Sequence, residues 1–243
     1  MEVEQSKSKC QVHGEILDVT SEEQTVHVLK KIISTYGRMD FFFANAGIGG
    51  YRSLQDTNAS YYDKVVSVLQ RSTFLAIRYA GQALSVTSTD KTRPGGSIIA
   101  TSSIAGVAGA VSDISYSASA MVKYGSVQLS ASNVRVNAVA PGFVRTSITA
   151  TTRNVLAGSF DTSKLSKEEA LSSFKSDLGD LIEGSQYYYQ RVAEPEEIAN
   201  IGVFLASHLS ASINGQNIVA DSGKTVAALG ETVIGPISPM VPF

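Results

Sequence analysis

Only one of the 243 residues is a cysteine, Cys10. A single thiol excludes an internal disulfide framework, and its place in a polar, charged N-terminal tail marks an incidental residue rather than a catalytic one. No apolar run is long enough to cross a bilayer, and no basic stretch followed by an apolar one stands at the start as a leader would. An excess of positive charge is missing as well: 20 Lys and Arg stand against 22 Asp and Glu, a formal net charge of −2 and a pI near 5.9. Because nucleic acid and anionic lipid both require a basic face, and the basic residues here are scattered, neither nucleic acid nor a membrane is expected as a partner. What remains is a soluble protein of a reducing compartment, read as cytoplasmic.

What is present is a core. With 43% hydrophobic and 17% charged residues, the chain fits one globular domain over residues 1–243, with a polar tail at 1–11. "QVHGEILDV" alternates and reads as a strand ending at Asp18. In "TSEEQTVHVLKKIISTYG", Thr20 or Ser21 can cap a helix with Glu23 or Gln24 closing a capping box, and Val26, Leu29, Ile32 and Ile33 share one face. "MDFFFANAG" is a continuous apolar run bounded by glycine and reads as the next strand. The alternation then continues through a long helix from Ala59, strand "GGSIIATSS", a helix from about Ser115 to Ser130, strand "NVRVNAVAPG", helix "PEEIANIGVFLASHL" and strand "GQNIVADSG". Pro195 suits a first helical position. Strands alternating with amphipathic helices predict an α/β fold: a doubly wound, Rossmann-like parallel sheet with ligands at the carboxyl ends of its strands. Residues 146–191 are polar, carry no strand signal and read as a substrate lid. The stretch 224–243 is an apolar C-terminal extension suited to oligomer contacts.

Several strand ends carry motifs, and their order is more specific than any one of them. Singly, Asn45 and Gly47 could be a strand-ending turn, and Ser102 and Ser103 surface hydroxyls. Together, "ANAG" (Ala44–Gly47), "TSSIAG" with Ser103 thirteen residues before Tyr116, "PGFVRT" (Pro141–Thr146) and "EPEEIAN…FLAS…INGQ…VADSG" resemble the short-chain dehydrogenase/reductase family, nearly continuously from Val12 to Gly223. The resemblance implies that Asn45, Ala46 and Gly47 line the cofactor's ribose and that Asp18 and Val19 touch its adenine. It implies that Pro141, Gly142, Val144 and Thr146 belong to the segment holding the nicotinamide, Val144 and Thr146 at its carboxamide. Arg78 stands where some members carry a basic cofactor-binding residue. Ser103 would polarise a carbonyl oxygen and Tyr116 would deliver its proton.

The likeness has gaps. Met1–Gly14 contains no Thr-Gly-x-x-x-Gly-x-Gly turn, the family's pyrophosphate cradle, and no strand preceding it. The apolar strand "FFFA" is therefore expected either to pair with the strand ending at Asp18 or to form an exposed edge. Leu69 stands where an asparagine usually relays water to the family's lysine, and Ala120 stands four residues after Tyr116, where that lysine belongs. Lys123 lies seven on: within about 20° of the same helix face, but about 10.5 Å along the axis rather than about 6 Å. A long stem directed toward the helix N-terminus recovers part of that distance, so Lys123 is the candidate third member.

The resemblance thus implies an NADP- or NAD-dependent oxidoreductase, NADP slightly ahead, that moves a hydride between nicotinamide and a ketone or secondary alcohol of a small organic molecule. It further implies a homo-oligomer, no metal, and, through its likeness to fungal members, a tailoring step in secondary metabolism. The alternative is a non-catalytic member: a truncated or mis-spliced product, or a binding subunit.

Overall fold

A computed structural model describes residues 11–50, 52–107, 119–148 and 192–225, with Thr152 and Val155. Cys10, Tyr116, nearly all of the expected lid and the C-terminal stretch beyond Thr225 lie outside these residues.

Four strands, β1 (Phe41–Ala44), β2 (Gly96–Thr101), β3 (Val134–Pro141) and β4 (Asn217–Ala220), form a parallel sheet in the order β1-β2-β3-β4. Successive side chains of a strand point to opposite faces. Ile98, Ala100, Val136 and Ala138 accordingly enter one core with Leu29, Leu84 and Val122, while Ile99 and Val139 enter another with Leu205. Helices α1 (Glu22–Tyr36), α3 (Ser72–Leu84) and α4 (Ser119–Gln128) cover the first face; α5 (Pro195–Ala206) covers the second. Burying a side chain such as Ile98 is worth roughly 1.5–3 kcal/mol. With apolar side chains needed on both faces, the central strands read as continuous apolar runs.

The helix ends follow their sequence signals. Ser21 is the N-cap of α1, its Oγ accepting from the Gln24 N–H at 3.3 Å, and Gly37 (φ 69°) closes the helix by donating its N–H to the Ile33 carbonyl. The expected capping box forms with one change: the Gln24 side chain accepts from the Asp18 N–H at 2.8 Å. Pro195 opens α5, where the Glu197 carboxylate accepts from the Glu194 N–H at 2.8 Å. Between α2 (Ala59–Val66) and α3, residues Ser67–Arg71 widen into a π-turn. The hydroxyls of Ser72 and Thr73 donate to the carbonyls of Val68 and Leu69, competing there for acceptors of the backbone ladder.

One expected element is absent. Gln11–Asp18 forms no strand; Ile16 is 99% exposed, and the Asp18 carboxylate turns back to accept from the Thr20 N–H and hydroxyl at 2.9 and 2.8 Å. Alternation alone cannot hold a strand whose backbone has no neighbour to pair with. Among the described residues β1 pairs with β2 alone, and Phe41, 56% exposed, sits on that edge.

Two cations serve the architecture. Lys91 is buried and its Nζ donates to the carbonyls of Met39 and Leu84; burial pushes its pKa below the usual lysine range. Arg135, on the α5 side of β3, donates to the carbonyls of Leu205, Ser207, Ser210 and Ile213 and to the Ser210 hydroxyl, at 2.8–3.4 Å. Two strand positions on, the fully buried Asn137 donates to the Ile213 carbonyl and accepts from the Gln216 N–H. Replacing Arg135 with alanine strands several of these acceptors. We expect the chain to lose about 3 kcal/mol of unfolding free energy, read from urea denaturation followed by circular dichroism, with Arg135→Lys recovering only part.

Candidate active site

The carboxyl ends of β1, β2 and β3 open into one cleft of about 560 Å³. Phe43, Asn45, Ala46 and Gly47 come from β1 and the turn after it, Thr101, Ser102 and Ser103 from the end of β2, and Pro141, Gly142, Val144 and Thr146 from β3 and beyond. Leu69 of the π-turn and Pro195, Ile198 and Ala199 of α5 complete the walls, with Ser147 and Ile148 at the lip. Parallel strands ending at one level, with chain departing to either side, leave such a crevice by construction.

Local hydrogen bonding fixes the polar groups. The backbone of Ser103 is extended, its Oγ accepts from the Ala105 N–H at 3.1 Å, and a 3₁₀ turn follows at Ile104–Gly106. With one lone pair held in this way, the hydroxyl proton remains available to an acceptor in the cleft. The Thr101 hydroxyl donates to Asn45 Oδ1 at 2.7 Å, tying the end of β2 to the turn after β1. Ser102 Oγ is buried and has no partner among the described residues. Gly142 is required by its surroundings: a Cβ there would stand 2.9 Å from the Cα of Asp221, where β4 ends.

The far wall is a second joint. Arg145 donates its N–H to the Ala193 carbonyl at 2.9 Å, and Ala193 donates to the Phe143 carbonyl at 3.1 Å. Arg145 Nε also lies 3.2 Å from the Glu194 carboxylate. This parallel bridge carries Val144 and Thr146 against the first turn of α5. Among the described residues, no side chain lining the cleft is charged.

The structure therefore brings Ser103, Asn45, Ala46, Gly47, Pro141, Gly142, Val144 and Thr146 together. It does not bring Asp18, Val19, Arg78 or Lys123 there. Asp18 is occupied in the turn before α1, its carboxyl held below the usual range by the Thr20 backbone N–H and hydroxyl, and Val19 lies in the same turn. Arg78 is exposed on α3 with its guanidinium 5.2 Å from the Tyr79 ring centre. Lys123 is exposed on α4; its Cα is 3.9 Å from where a Cβ on Gly215 would stand, beside the amino end of β4 rather than the carboxyl ends. Tyr116 is outside the described residues.

The residues of α5, and Thr101 and Ser102, were not singled out as binding residues in sequence. Pro195, Ile198 and Ala199 are spaced i, i+3, i+4, the signature of a single helix face, which could have flagged that first turn as a wall.

Comparison with known proteins bears on most of the chain. A family model described as short chain dehydrogenase matches residues 2–156, and one described as Enoyl-(Acyl carrier protein) reductase matches residues 155–225. A 3-oxoacyl-[acyl-carrier-protein] reductase of Thermotoga maritima is 32% identical over 216 residues, covering 87% of this chain and 76% of the relative. A short-chain dehydrogenase/reductase of the fungus Armillaria gallica is 31% identical over 218 residues, covering 85% and 73%. A cyclopentanol dehydrogenase of Comamonas testosteroni is 29% identical, covering 86% and 75%. Among solved structures, levodione reductase superposes with a TM-score of 0.68 at 24% identity, covering 87% of this chain and 76% of that one.

Because the Ser102 hydroxyl is buried without a partner, Ser102→Ala should leave unfolding free energy unchanged or raise it by up to about 1 kcal/mol, measured by urea denaturation. A loss of 2 kcal/mol or more would mean that the hydroxyl has a partner within the fold.

Proposed function

The chain belongs to the short-chain dehydrogenase family, and on that premise we propose that the cleft carries reversible hydride transfer between a nicotinamide cofactor, NADP or NAD, and a ketone or secondary alcohol of a small organic molecule. The observation that carries this reading is convergence: the family-like ends of β1, β2 and β3 meet at one cleft with the Ser103 hydroxyl inside it. Relatives named for cyclopentanol and for a 3-oxoacyl group support a small carbonyl or alcohol substrate.

The nicotinamide, when bound, supplies or accepts the hydride. The exposed Asn45 amide and Gly47 fit its ribose, and Val144 and Thr146 fit its carboxamide. Ser103 donates to the substrate oxygen, where negative charge grows during reduction, and Tyr116 supplies the proton. Phe43, Leu69, Ile148 and Ile198 keep water from the walls. For the pyrophosphate the fit is poor among the described residues: the helix N-terminus at the cleft belongs to α5, and Glu194 and Glu197 already cap it. We further propose a cytoplasmic homo-oligomer and a tailoring step in secondary metabolism.

A second reading, a family member that binds without turnover, is favoured by two observations: Leu69 lines the cleft where the family's asparagine belongs, and Lys123 lies outside it. Purified protein assayed with NADPH or NADH and a panel of ketones and diketones separates the two. Under the first reading, Ser103→Ala and Tyr116→Phe each lower kcat/KM by about 10²–10⁴-fold. Absence of turnover with retained ligand binding supports the second. Under either, calorimetric titration should give a nucleotide dissociation constant weaker than about 10 μM, since no cradle for the pyrophosphate stands among the described residues.

A further inference from the structure

Among the described residues lining the cleft, one side chain–side chain hydrogen bond forms, from Thr101 to Asn45, two residues from different strand ends. Asn45 is exposed, and an exposed asparagine ordinarily samples several χ1 wells and both flips of its amide. Here the carbonyl branch is held by the Thr101 hydroxyl at 2.7 Å. The planar amide then fixes its N–H pair on the opposite branch, and among the described residues no acceptor takes that pair. Thr101 is itself held in the ladder of β2, where its partner on β3 is Val139, so the donor is anchored to the centre of the sheet rather than to a loop.

We infer that Thr101 is a positioning residue: its hydroxyl sets the Asn45 amide so that it presents donors, not an acceptor, to a ligand oxygen in the cleft. The ligand group it suits is a vicinal diol, whose two oxygens can each accept one of the N–H bonds. The inference deepens the functional reading above and rests on it for the identity of that group as the ribose of a nicotinamide nucleotide. Locking one of a few rotamers and one of two flips is worth a few-fold in affinity, not orders of magnitude.

The test has two independent readouts on the full chain. The first is the Asn45 side-chain amide resonance in protein labelled with [¹⁵N]asparagine, assigned by its disappearance in Asn45→Asp. Thr101→Val, which keeps the shape and removes the donor, should move this resonance toward the position of a solvated amide; Thr101→Ser should hold it. The second is calorimetric titration with NADPH and NADH. Thr101→Val should raise the dissociation constant about three- to ten-fold, with Thr101→Ser within two-fold of the parent. Asn45→Asp, which can still accept from Thr101 but can no longer donate, should weaken binding at least as much as Thr101→Val. An Asn45 resonance that does not move in Thr101→Val overturns the inference, and so does one that moves while nucleotide affinity stays the same. A parent chain that binds neither nucleotide overturns the functional reading and the ribose assignment with it, while the resonance still decides whether Thr101 orients Asn45.

Discussion

Arg135 and Asn137 occupy the two positions of β3 that face α5 near its amino end, where the residues pointing to the opposite face, Val134, Val136 and Ala138, are apolar. A guanidinium under a helix would be costly were its donors not satisfied, and here it meets the carbonyls left over at the end of α5 and in the turns that follow. That arrangement settles three things together. It closes the C-terminus of α5, it fixes the path from α5 into β4, and it sets the tilt of α5 against the sheet. Because the first turn of the same helix walls the cleft, the geometry of the site depends on a clamp at the opposite end of the helix.

The chemistry of the cleft follows from what its walls contain. Among the described residues, hydroxyls and one amide are offered by the strand ends; the remainder is aliphatic or aromatic, and no lining side chain is charged. Such a surface recognises neutral polar groups by hydrogen-bond direction, and its selectivity comes from donors that would be left unpaired by the wrong ligand. It is less suited to stabilising phosphate or phenolate. That is why the positions of Leu69 and Lys123 matter more here than the presence of Ser103: a hydroxyl can polarise an oxygen unaided, whereas lowering the pKa of a phenol requires a cation nearby.

The π-turn connects these observations to the backbone. In an otherwise continuous run from Ala59 to Leu84, the ladder loosens at Ser67–Arg71, beside the cleft, where the hydroxyls of Ser72 and Thr73 take the carbonyls of Val68 and Leu69. The distortion is held by local hydrogen bonds, and it persists here with an apolar residue at its centre. On the far side of the sheet β1 keeps an unpaired edge among the described residues, with Phe41 exposed. Phe42 and Phe43 are nevertheless drawn into the two cores, because pairing with β2 alone orients the strand.

Sequence by itself determined the local and the repetitive: four apolar runs that must be covered on both faces, the Ser21 cap, the Gly37 stop, Pro195 at a helix start, and a motif order specific enough to name the family. These are legible because helix periodicity, caps and continuous apolar strands are properties of neighbours in the chain. Tertiary structure decided what depends on partners distant in sequence. The alternation of Gln11–Asp18 promised a strand, but a strand exists only through the backbone beside it. Asp18 became a turn anchor instead. The i+7 spacing put Lys123 on the expected helix side, yet only the docking of α4 beside Gly215 places it away from the strand ends. Thr101 looked like any strand residue until the register of β1 on β2 brought its hydroxyl to Asn45, fifty-six positions away, a distance no local pattern can encode.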